Sequence, residues 1–91
     1  MDKLFKVVVA LLRRPPEADL SDVDFVLVSF GFTHRPGKGS HRVYENNQPD
    51  GQPPTITVPT RKGRRVMRSY IKLVIKSLEL EAWHERQKND S

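Results

Sequence analysis

Cysteine is missing altogether from the 91 residues. Disulfide staples and thiolate metal sites are thereby excluded, and a reducing compartment is the simplest home for the chain. Aromatic side chains are few, with four Phe, two Tyr and one Trp inside an apolar fraction of 36%. That amount of apolar material builds one small domain with an economical core. No apolar run approaches membrane-spanning length. The best of them, Val7 to Leu12, meets Arg13, Arg14, Pro15 and Pro16, where a signal peptide needs a small-residue cleavage site, so the chain reads as cytoplasmic. Repeats and low-complexity tracts are lacking too. Acidic residues are nearly absent from the middle: residues 34–76 hold ten basic groups and two acidic ones, net +8. Residues 1–33 come to −1 and residues 77–91 to −2, so the formal charge of +5 is concentrated there. A basic centre of this kind favours a polyanion such as RNA or DNA, or an acidic protein partner.

Within that basic centre stands the most informative stretch, P-G-K-G-S-H-R-V-Y-E at residues 36–45. Gly37 and Gly39 permit a tight turn and leave amide N–H groups uncovered, and Lys38 adds a positive charge beside them. Such a turn can receive a phosphate. His41 follows at the start of an alternating run, and histidine both takes and gives a proton near neutral pH. An anion cradle next to a proton carrier suits work on a phosphodiester, whereas Gly-x-Gly before a strand is also the ordinary chemistry of a hairpin turn.

In chain order, Asp2 to Arg13 reads as a helix, with Leu4, Val8, Leu11 and Leu12 at helical spacing. Pro15 and Pro16 end it and a short loop is expected. Ser21 is placed to cap a second helix with Asp22 and Asp24 in its first turn, Val23, Val26, Leu27 and Phe30 on one face, and Gly31 as its stop. Strands are expected at Phe32–Arg35, Ser40–Glu45 and Thr55–Val58, with a turn-rich loop at 46–54. Residues 60–65 read as a basic loop. A last helix starts near Val66 and either runs on, or breaks and restarts, through Trp83 to about Arg86. The expected order is α-α-β-β-β-α, an α+β fold in which helices cover one face of a three-stranded antiparallel meander and leave the other face open for a partner.

The helix ending F-G-F, the G-S-H-R-V-Y run, the T-I-T-V-P strand and the basic helix after it resemble the HicA family of bacterial toxins, from about Leu20 to about Trp83. The resemblance implies a double-stranded-RNA-binding-domain-like fold and an endoribonuclease that cuts mRNA. It also implies a HicB-like antitoxin partner and His41 as the catalytic residue, with Gly39 and Ser40 completing its motif. Residues 1–19 would then be a helical extension, residues 20–86 the compact core and residues 87–91 a flexible tail. Two positions depart from the family pattern: Arg42 stands where many members carry a second histidine, and Thr60 and Arg61 stand where many carry histidine after the strand.

Metal-free RNA cleavage needs a base for the ribose 2′-hydroxyl, an acid for the leaving oxygen and positive groups around the phosphorus. His41 can fill either proton role, with Lys38, Arg42 and the backbone near Gly39 offsetting charge. A second proton carrier is not evident; His34 is a candidate, although a strand histidine more often faces solvent. Arg35, Arg61, Lys62, Arg64, Arg65 and Arg68 are candidate phosphate contacts. No carboxylate and histidine cluster has metal-ligand spacing, so neither a metal nor another cofactor is expected. Two other readings fit the same residues: a non-catalytic RNA-binding module, and a protein-interaction subunit of the same fold.

Overall fold

The computed structural model describes residues 2–35, 41–46 and 55–89. Three strands, β2 (Phe32–Arg35), β3 (His41–Asn46) and β4 (Thr55–Pro59), form an antiparallel meander with β3 in the middle. In its register Tyr44 lies between His34 and Ile56, and Arg42 lies opposite Val58. Strand side chains alternate between faces. Phe32, Tyr44, Ile56 and Val58 accordingly turn inward and are buried, while Thr33, Arg35, His41, Thr55 and Thr57 turn outward and are exposed.

Four helices among the described residues supply the rest of the core: α1 (Lys3–Leu12), α2 (Leu20–Ser29), α3 (Arg68–Ser77) and α4 (Leu80–Asn89). Asp2 caps α1 by accepting the Phe5 N–H at 2.8 Å. Val8 and Leu11 of α1, Val23, Val26 and Leu27 of α2, and Ile71, Val74 and Ile75 of α3 join the sheet's inner residues in one buried cluster. Burying each such side chain contributes roughly 1.5–3 kcal/mol, most of which the lost chain entropy offsets. Gly31 ends α2 at φ +96°, where the nearest atom to an added Cβ would be Asn46 Oδ1 at 3.8 Å. Space is therefore ample, and it is the backbone angle that calls for glycine.

Several expectations are corrected. The loop after Pro16 contains a strand, β1 (Glu17–Asp19), which pairs antiparallel with β5 (Arg65–Met67) in a separate two-stranded sheet. That β5 takes Val66 out of the last helix, which starts at Arg68. Ser21 is not the cap of α2: the helix begins at Leu20 after Asp19, and the Leu20 N–H donates to the Arg64 carbonyl at 2.8 Å. Of the two alternatives for the C-terminal helix, it breaks and restarts. Glu79 takes φ 51°, and its N–H donates to the Lys76 carbonyl. The second half continues to Asn89, past the expected start of the tail. No described helix is long and apolar enough to cross a membrane.

Candidate nucleic-acid interface

His41 opens the central strand on the face that no described helix covers, opposite Pro59 and exposed. Arg35 shares this face and pairs with Glu45 at 3.1 Å. Both side chains are largely solvated, so the pair contributes at most about 1 kcal/mol and leaves the guanidinium available to an anion. Lys38, Gly39 and Ser40, the expected anion cradle, lie outside the described residues.

Arg42 does not flank His41, contrary to the sequence expectation. Alternation turns it to the opposite face, where Nη1 donates to His34 Nε2 at 3.0 Å. A guanidinium only donates, so His34 presents Nε2 as an acceptor and carries its proton on Nδ1. His34 is exposed, as expected of a strand histidine, but it sits across the sheet from His41 and gives that residue no proton partner.

Beside His34 lies Tyr44, their rings 5.7 Å apart. Tyr44 is fully buried on the inner face, and its hydroxyl donates to Asp24 Oδ1 of α2 at 2.7 Å. Burial above all, then the hydrogen bond to Asp24 and its negative charge, pushes the phenol well above its ordinary range. By sequence alone Asp24 reads as a charge in the first turn of α2. A tyrosine at an inward strand position needs a partner for its hydroxyl, and that was the available signal. Asp24 and Arg42 also line a cleft of about 390 Å³, together with Asp19, Leu20, Ser21, Gly63 and Arg64.

The basic cluster divides. Arg61 and Arg65 face each other across a turn in which Lys62 takes φ 55° and Gly63 φ 71°. Arg61, Lys62 and Arg64 are exposed on this turn and form no ion pair among the described residues. Arg65 is occupied instead: Nε donates to Glu17 Oε1 at 2.8 Å and Nη1 donates to Asp19, binding β5 to β1. Its guanidinium is held above the ordinary range, first by the hydrogen bond to Glu17 and then by that to Asp19. Arg68 lies against the Pro15 carbonyl, with Nε 3.4 Å away, and its own N–H donates to the Pro16 carbonyl at 3.0 Å. Arg65 and Arg68, candidate phosphate contacts by sequence, thus also make contacts within the junction of β1, β5 and α3.

Trp83 packs between Phe5 and Phe30, with ring centroids 6.2 and 5.7 Å away, in keeping with a core role. His84 is half-buried against Phe5. Among the described residues no three His, Cys, Asp or Glu side chains gather closely enough to hold a metal ion. No family model matches the chain, and no curated protein or solved structure matches it either.

Proposed function

We propose that the chain is an endoribonuclease of the HicA type, a toxin acting on mRNA and silenced by a HicB-like antitoxin that covers its open sheet face. The observation that carries this reading is the placement of His41: exposed, first on the central strand, on the sheet face that no described helix covers. A histidine there meets a polyanion lying across the sheet without disturbing the core. The meander with helices on its other face also suits the double-stranded-RNA-binding-domain-like fold that the family resemblance implies. The cleavage itself needs no cofactor. His41 removes the 2′-hydroxyl proton, the 2′-oxygen bonds to phosphorus, and the bond to the 5′-oxygen breaks as water at this exposed site protonates the leaving group. Arg35 offsets the charge that develops on the phosphate.

The test is cleavage of a long RNA by the purified chain in excess EDTA. His41→Ala and His41→Gln are expected to lower the rate by at least about 100-fold, the lower range for a general acid or base. The melting temperature should stay within about 1 °C of the parent, since an exposed substitution changes stability little. Parental cleavage by either variant, or activity that EDTA removes and added metal restores, would sink the mechanism. The exposed turn carrying Arg61, Lys62 and Arg64 favours a second reading, an RNA-binding module without cleavage. RNA binding by a chain that never cuts would decide for it.

A further inference from the structure

The cleft between the start of α2 and the turn at Gly63–Arg64 holds opposite charges that do not neutralise each other. Asp24 and Arg42 both line it, yet among the described residues no ion pair joins them. Both instead bear on the Tyr44 hydroxyl that lies between them, and Arg42 has His34 as a further partner. Asp24 Oδ1 accepts from the buried Tyr44 hydroxyl at 2.7 Å, and Arg42 Nη1 donates to His34 at 3.0 Å. Neither side chain is closed off by the other, so both can still meet a third party in the cleft. A carboxylate and a guanidinium held apart in this way match a planar group that offers donors on one side and acceptors on the other. The cleft, at about 390 Å³, is of the size that takes a small ligand.

We infer that this cleft is a guanine-binding subsite, resting on the reading of the chain as an RNA-handling protein. Guanine carries N1–H and N2–H₂ side by side for the carboxylate, and O6 with N7 side by side for the guanidinium. The guanidinium contact can be bidentate, and so can that of Asp24 if Oδ1, which already accepts from Tyr44, uses its second lone pair beside Oδ2. Adenine offers each charged group only one matching atom at a time, uracil lacks the paired donors, and cytosine gives the carboxylate a single amino group. Arg64 stands at the rim for the phosphate, and Ser21 adds an exposed hydroxyl. Arg42 directly follows His41 at the end of the sheet where β3 begins. A strand of RNA bent over that end has its cut bond at His41 and a neighbouring base in the cleft.

The experiment is an NMR titration of the whole ¹⁵N-labelled chain with 5′-GMP, AMP, CMP and UMP, which involves no cleavage. GMP is expected to bind about tenfold tighter than the others, as a good bidentate contact discriminates, with shifts centred on Ser21, Asp24, Arg42 and Arg64. Asp24→Asn keeps an acceptor for Tyr44 but loses the carboxylate, and Arg42→Gln loses the guanidinium. Each should erase the preference for GMP, while Arg64→Ala should weaken all four nucleotides alike. Equal affinity for the four, a preference that survives both substitutions, or shifts lying elsewhere would each overturn the site. Those outcomes are independent of the His41 cleavage test, which can fail while GMP still binds here and can succeed while it does not.

Discussion

Tyr44 joins the sheet to α2 through one hydrogen bond made inside the core. Phenylalanine at this position keeps the ring and its packing but leaves Asp24 Oδ1 without its donor. A bond to a charged acceptor in a part-buried setting is worth about 1.5–3 kcal/mol, so Tyr44→Phe should cost on that order at neutral pH. The same residue sets a pH dependence. Its folded pKa is raised, so the unfolded chain loses the phenolic proton first as pH rises, and deprotonation favours unfolding. Tyr44 should thus contribute fully below about pH 10, the unfolded value, and progressively less above it. Urea midpoints between pH 7 and 11 would show the parent and Tyr44→Phe converging at the alkaline end. Parallel curves would mean that the hydroxyl does not stay protonated through its contact with Asp24.

The turn and the small sheet beside it show how one basic cluster serves two ends. Arg61, Lys62 and Arg64 are carried on a turn closed by Arg61 and Arg65, which keeps their charges together and in solvent. Arg65 spends its charge on Glu17 and Asp19. If the three exposed residues meet phosphates, replacing all of them by alanine should flatten the slope of log affinity against log salt by about two units for single-stranded RNA. The melting temperature should hardly move. Arg65→Ala should do the reverse, lowering the melting temperature and keeping the parental salt slope, because what it removes is the side-chain pairing of β5 with Glu17 and Asp19 of β1. A triple variant with the parental slope would show that the turn is only solvated or belongs to a protein interface.

Over the whole molecule the first helix belongs to the core. Val8 and Leu11 are buried with residues of α2 and α3, and Phe5 lies against Trp83 and His84 of α4. Leu11→Ala should therefore cost about 2–5 kcal/mol, the range for emptying a packed leucine site. Thermal unfolding should remain a single transition. A loss below about 1 kcal/mol, or a separate early transition, would fit a dispensable extension better. The β1–β5 pair ties the segment after α1 to the segment before α3.

Much of this was legible along the chain because it depends on neighbours in sequence. Helical spacing and the following prolines marked α1, Gly31 marked the end of α2, and two-residue alternation between turn residues marked β2, β3 and β4 to within a residue or two. The break between α3 and α4 carried no such mark, since Glu79 takes a left-handed angle with neither glycine nor proline to announce it. β1 and β5 are three residues each, too short for a pattern, and they exist because Glu17–Asp19 and Arg65–Met67 meet across the fold. The candidate site divides along the same line. Its residue types and the basic character of residues 34–76 are properties of the sequence. Strand alternation already turns Arg42 away from His41; tertiary structure alone decided that Arg42 meets His34, that Arg65 answers Glu17, and that Asp24 accepts the Tyr44 hydrogen bond. Hydrogen bonds and ion pairs act over a few ångströms of space, and only packing brings positions 24 and 44, or 17 and 65, that close.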